Sequence, residues 1–198
     1  MSEVILASAS KTRADMLKSA GLSFQIQPAR VDEETLKTAL VADACPPINI
    51  ADALAELKAR AVSYLHPNAL VIGADQLLVH KGAVFSKAND KTEAAHILKA
   101  LSGTTHTLIS AAVIYQNGQA IWRTTDKANL TVRPLSDDFI DGYLDTLGSD
   151  AFWSVGCYQL EGLGAQLFTK IDGNHFTVLG LPLLPLLDFF RRIGCMPL

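Results

Sequence analysis

Leu70-Val71-Ile72-Gly73-Ala74-Asp75-Gln76-Leu77-Leu78-Val79 is an apolar run that carries one acid near its middle. A run this rich in Val, Ile and Leu reads as an interior strand with both faces covered. Gly73 and Ala74 keep the backbone bare just ahead of the acid, which lets a ligand approach closely. A carboxylate at Asp75 is then paired, bound to metal or catalytic, because an isolated buried charge is costly. The competing reading is an Asp that caps a turn after a short strand.

Upstream, Val4-Ile5-Leu6-Ala7 reads as a first strand. An amphipathic helix follows, with Met16, Leu17 and Ala20 inward and Gly21 as its stop. Ser10 is its N-cap. Lys11 and Arg13 in the first turn are unexpected, because a helix N-terminus disfavours cations. An anion on the exposed backbone N–H groups, closed in by Ser8, Ser10 and Arg13, accounts for them; solvation of two basic side chains is the alternative. Leu22 to Ile26 alternates as a half-buried strand. Arg30-Val31-Asp32-Glu33-Glu34 reads either as an acidic loop supplying metal-binding oxygens or as a solvated helix start. After the breaker Cys45-Pro46-Pro47, a helix over 49–65 is expected to bury Leu54, Leu57, Ala61 and Leu65, with Lys58 on its flank.

Downstream, Lys81-Gly82 predicts a turn that returns 84–87 beside the Asp75 strand. Asp90 and Glu93 have capping-box spacing ahead of a stripe of Ala94, Ile97, Leu98 and Leu101. Strands over 105–115 and 120–133 are joined at Gln116-Asn117-Gly118, a hairpin signal. Ser136 opens a helix carrying Phe139, Ile140, Tyr143, Leu144 and Leu147. The glycine-punctuated stretch from Phe152 to Gly164 suits a loop that wraps a flat ligand. A strand over 166–171 and a helix over 181–193 close the chain, with Pro182 tolerated near the helix start. Strands and helices interleave around one hairpin, so a mixed α/β fold is expected, a mixed central sheet flanked by helices in one domain over 1–198.

Composition narrows the function. A chain of 198 residues, 49% apolar and 19% charged, is an ordinary globular composition. A formal charge of −3 carries no electrostatic footprint for nucleic acid or an anionic membrane. No secretory signal or spanning segment is visible, so a cytoplasmic location is expected. Cys45, Cys157 and Cys195 imply neither a disulfide framework nor a zinc cluster. His66, His80, His96, His106 and His175 have no ligand spacing and read as surface or hydrogen-bonded histidines. Cys157 lacks a neighbouring His in sequence, which weakens a thiol nucleophile.

From end to end the chain resembles the Maf family of nucleotide pyrophosphatases. The matching residues are Leu6-Ala7-Ser8-Ala9-Ser10 with Arg13, Asp32-Glu33, Lys58-Ala59, Gly73-Ala74-Asp75, Lys87 and Leu101-Ser102-Gly103. Glu161-Gly162-Leu163-Gly164-Ala165 and Val178-Leu179-Gly180-Leu181-Pro182 complete the set. The resemblance implies a fold related to inosine-triphosphate pyrophosphatases, two lobes around a cleft, and often a homodimer. It also implies metal-dependent hydrolysis of nucleoside triphosphates to monophosphate and pyrophosphate. Gln76 after Asp75, with Ser154 and Glu161, is similar to the branch acting on 7-methyl-GTP, where the dTTP and UTP branch has Thr, Lys and Gln. Lys11, Thr12 and Ala88 depart from the family pattern.

The reaction needs a base, charge neutralisation and an orienting metal. Asp75 is the expected general base, and Glu33 joins it in holding Mg²⁺ or Mn²⁺. By the resemblance, Arg13, Lys58 and Lys87 neutralise phosphate oxygens, with Ser8 and Ser10 donating from the loop. Guanine offers N1–H and an amino group on one edge, and the Glu161 carboxylate accepts both. Gln76 and Trp153 are the other expected base contacts, Trp153 as an aromatic face for the positive charge of 7-methylguanine, with core packing as its alternative. No G-x-x-x-x-G-K-[ST] occurs, which excludes a P-loop machine. The alternatives are the same hydrolysis on dTTP and UTP, or a nucleotide-binding regulator of septum formation.

Overall fold

The computed structural model describes residues 3–196. In chain order its elements are β1 (Val4–Leu6), α1 (Lys11–Ser19), β2 (Gln25–Ile26), α2 (Glu33–Ala42), α3 (Pro47–Ser63), β3 (Leu70–His80) and β4 (Ala83–Phe85). They continue with α4 (Lys91–Leu101), β5 (Thr105–Gln116), β6 (Gln119–Val132), α5 (Asp137–Leu147), two 3₁₀ helices (Gly148–Trp153 and Leu163–Leu167), β7 (Phe168–Asp172), α6 (His175–Val178) and α7 (Leu183–Arg192). The strands form a mixed sheet in the order β2-β1-β3-β5-β6-β7, with β4 added to β3, so the fold is α/β. The chain divides into two compact units. The first takes in the segment up to Gln76, Ile109–Asp126, and the chain from Asn174 onward; the second is Leu77–Leu108 and Lys127–Gly173.

In the first unit β1 lies parallel to both neighbours, with Ile5 opposite Gln25 and Leu6 opposite Ile72. Side chains alternate across β3. Leu70, Ile72 and Ala74 enter an apolar core with Leu6, Leu17, Leu186 and Phe190. Asp75 extends the other face, which α3 covers. A Cβ on Gly73 would collide with the Ala55 carbonyl and the Ala59 amide. Gly73 is therefore bare so that α3 can dock, and the space above it is filled by helix backbone where a ligand approach was expected. The buried face of α3 is Ile50, Ala51, Leu54, Ala55, Lys58, Ala59, Val62 and Ser63. It is rotated from the expected stripe: Leu57 and Ala61 are half-buried, and Leu65 is exposed beyond the helix end. Small alanines, not leucines, allow the close approach to β3, and the rotation carries Lys58 from the flank to the interior.

The acidic stretch starts a helix. Asp32 caps α2, accepting from Thr35 N at 3.0 Å and Thr35 Oγ1 at 2.7 Å. No residue of α2 is fully buried, so no apolar stripe announced the helix.

In the second unit the end of β3 pairs antiparallel with β4 through the Lys81-Gly82 turn, both residues at positive φ. Asp90 and Ser136 cap α4 and α5. β7 pairs antiparallel with β6, with an irregularity between Thr131 and Val132. The strand expected over 166–171 starts later, because 163–167 coil into a 3₁₀ helix. No helix among the described residues is long and apolar enough to cross a membrane.

Candidate active site

Asp75 projects from β3 toward α3 and meets Lys58, with Nζ 2.6 Å from Asp75 Oδ1. The same ammonium lies 2.7 Å from Glu33 Oε2, at the first position of α2. Ala74 O is the third acceptor in range, at 3.5 Å. An ammonium has three N–H groups, and these three acceptors match that number. Lys58 therefore clamps the two carboxylates, and a phosphate contact by Lys58 requires that one of these bonds be given up. The turn-cap reading of Asp75 does not hold: β3 runs on through it to His80, and the acid is buried and paired.

Arg13 approaches the same strand from the opposite face. Ser10 caps α1, accepting from Arg13 N at 3.3 Å. The Arg13 side chain turns inward: Nε donates to Gly180 O at 2.8 Å, and Nη1 donates to Ser8 Oγ at 3.2 Å and Ala74 O at 3.1 Å. Burial lowers the guanidinium pKa, while the negative charges of Asp75 and Glu33 oppose that shift, so the group stays cationic. Lys11 behaves differently. It is exposed and pairs with Asp15 one turn along at 2.6 Å, which answers its place in the first turn without an anion.

Gln76 faces away from Asp75, as the strand alternation requires. Its amide nitrogen lies 3.1 Å from Ser110 Oγ, 2.9 Å from Thr177 O and 3.0 Å from Val178 O. Ser110 and Thr177 were not anticipated; their only sequence signal is a hydroxyl standing inside or beside an apolar run.

In the second unit, Lys87 follows β4. Trp153 ends a 3₁₀ helix and is 70% exposed, which removes the core-packing reading. Glu161 is exposed in a turn whose flanks are firmly held. Ser154 Oγ donates to Tyr158 O and accepts from Tyr158 N. Tyr143 OH donates to Cys157 O, and His106 Nε2 shares a 2.6 Å hydrogen bond with Tyr158 OH. A Cβ on Gly156 would strike the Tyr158 ring, and one on Gly164 the Gln159 backbone, so these glycines serve the loop's own packing. Burial pushes the Cys157 thiol up to about 11, which leaves it protonated and a poor nucleophile at neutral pH.

Among the described residues no cluster of three or more His, Cys, Asp or Glu could hold a metal unaided. Asp75 and Glu33 fit the lesser demand of Mg²⁺, which takes one or two carboxylates and leaves the remaining positions to water and substrate phosphate. Both already converge on one cationic atom, Lys58 Nζ.

The profile of the family described as Maf-like protein matches residues 3–193. The chain is 49% identical to the 7-methyl-GTP pyrophosphatase of Rhizobium meliloti (strain 1021), over 98% of this chain and 97% of that one. It is 50% identical to a nucleoside triphosphate pyrophosphatase of Paramagnetospirillum magneticum (strain ATCC 700264 / AMB-1), over 96% and 98%. A third relative, the 7-methyl-GTP pyrophosphatase of Rhizobium etli (strain ATCC 51251 / DSM 11541 / JCM 21823 / NBRC 15573 / CFN 42), is 46% identical over 97% and 96%.

Proposed function

The chain belongs to the Maf-like protein family, and on that footing we propose that it hydrolyses 7-methyl-GTP, or a related modified nucleotide, to the monophosphate and pyrophosphate. At the coarser level it is a nucleoside triphosphate pyrophosphatase, a hydrolase acting on acid anhydrides. The observation that carries the reading is the buried Asp75 clamped with Glu33 on Lys58.

Water attacks the α-phosphorus, the bond from that phosphorus to the bridging oxygen breaks, and pyrophosphate leaves. Asp75 takes the proton from the attacking water. Lys58 uses Oδ1 of Asp75, which leaves Oδ2 as the oxygen for that proton. Arg13, with Ser8 and Ser10 at the start of α1, neutralises phosphate oxygens. A divalent cation, Mg²⁺ or Mn²⁺, would be held by Asp75 and Glu33 and would supply charge neutralisation at the polyphosphate when bound.

The roles of Lys87, Glu161 and Trp153 rest on the family resemblance. Lys87 neutralises phosphate. Glu161 accepts from guanine N1–H and the amino group, and Trp153 offers an exposed ring face to the positively charged methylated base. Two relatives named for 7-methyl-GTP support this choice of base.

Purified protein incubated with 7-methyl-GTP, GTP, dTTP and UTP tests the reading through pyrophosphate release. Preference for 7-methyl-GTP is expected. Preference for dTTP or UTP would move the protein to the other branch, and no release from any of them would leave a nucleotide binder.

A further inference from the structure

We propose that Gln76 is a positioning residue for Arg13, acting through the end of α6, and that it does not read the nucleotide base. The inference rests on the reading of Arg13 as a phosphate ligand.

Its amide nitrogen has two hydrogens, and three acceptors surround it: Ser110 Oγ, Thr177 O and Val178 O, all within 3.1 Å. No N–H remains to meet a base edge. Two of these acceptors are carbonyls of the last two residues of the four-residue α6, where a helix leaves carbonyls open to outside donors; Thr177 O also takes the Gly180 amide at 3.1 Å. Gln76 thus caps α6 from a neighbouring strand. The attachment is reinforced: Ser110 Oγ donates to Thr177 O at 2.8 Å, and Thr177 Oγ1 donates to Asp126 Oδ2 at 2.5 Å. Ser110 and Thr177 are fully buried, so losing a partner there leaves polar groups without water.

The chain leaves α6 through Gly180, at φ +96°, and the Gly180 carbonyl receives Arg13 Nε at 2.8 Å. A Cβ on Gly180 would stand 3.4 Å from Arg13 Nη2 and 3.5 Å from Gln76 Oε1, so both side chains close on the bare glycine. The Gln76 amide therefore fixes the turn that holds Nε, while Ser8 and Ala74 hold Nη1. With those atoms fixed, the direction of Nη2 is fixed as well. Catalysis by a positioned charge depends on such fixing, since a misplacement of about 1 Å costs up to about 100-fold in rate.

Gln76→Met tests this, because Met keeps the length of the side chain and removes the donors. The Arg13 Nε–H signal is followed by ¹⁵N NMR, pyrophosphate affinity by calorimetry, and kcat/KM on 7-methyl-GTP and GTP in parallel. Hydrogen exchange at Arg13 Nε–H should speed up, and pyrophosphate should bind about 10-fold more weakly, the worth of one to two hydrogen bonds. The ratio of kcat/KM between the two nucleotides should stay as in the wild type. Ser110→Ala, a smaller change, should move the Arg13 signal in the same direction by less and serves where Gln76→Met does not fold. An unchanged Arg13 signal, or a changed nucleotide ratio, overturns the proposal. If the wild type hydrolyses neither nucleotide, the proposed function fails, while the Arg13 signal and pyrophosphate affinity still decide the role of Gln76.

Discussion

Lys58 Nζ stands 2.6 Å from Asp75 Oδ1, with the two side chains only 9% and 10% exposed. A buried ion pair is a poor way to gain stability, because well-packed apolar residues of similar volume often do as well or better. Its presence beside Glu33, on a largely apolar buried strand, fits the proposed role of the carboxylate in the chemistry.

Lys58→Met should leave Asp75 buried without its cation. Removing one partner of such a pair costs about 3–5 kcal/mol, read as a lower urea midpoint at unchanged slope. Adding Asp75→Asn should recover most of that loss and no activity. A Lys58→Met protein as stable as the wild type would mean that the pair does not hold the site.

Chelation should abolish pyrophosphate release, and Mg²⁺ or Mn²⁺ should restore it. On the proposed metal site, Glu33→Gln should raise the metal concentration needed for half-maximal rate, since it would remove one of the two carboxylates proposed to hold the ion. Full activity in chelator would remove the metal from the account.

Glu161→Gln replaces two acceptors by one acceptor and one donor. The expected result is a fall in kcat/KM for 7-methyl-GTP relative to UTP. Its thermal stability should match the wild type, because Glu161 is exposed. An unchanged substrate order would end the base-reading role.

Stability should also show the protonation of a histidine. Burial holds the His106 imidazole down at about 4 against its ordinary 6.5. The unfolded chain then binds a proton that the folded chain refuses. Stability is complete above about pH 6.5 and is lost as pH falls toward 4, by roughly 3 kcal/mol over that window. His106→Gln should lose this extra slope between pH 6.5 and 4 while keeping the remaining acid dependence. Parallel wild-type and variant slopes would contradict it. The same bond to Tyr158 anchors the turn that carries Glu161.

The sequence made the interior strand, the capped helices and the Asn117-Gly118 hairpin legible, because each has a local physical cause in apolar run, cap or turn. Asp75, Arg13 and Ser10 were legible as residues that a fold must explain. The α3 face was not, because three alanines at every fourth position look weaker than leucines until Gly73 is seen beneath them. The pairing of Lys58 with both carboxylates, and of Gln76 with Thr177, joins residues far apart in the chain, and no local pattern encodes such partners. For α2, the missing signal was a buried face that the helix does not have.

Asp75→Asn tests the central claim most directly, because it keeps size and removes the charge and the base. Single-turnover pyrophosphate release from 7-methyl-GTP with saturating Mg²⁺ should fall by about 100-fold or more, in the range that general-base removal produces. Nucleotide binding should remain measurable. Release at the wild-type rate would show that Asp75 is a structural ion-pair partner and that the proton goes elsewhere.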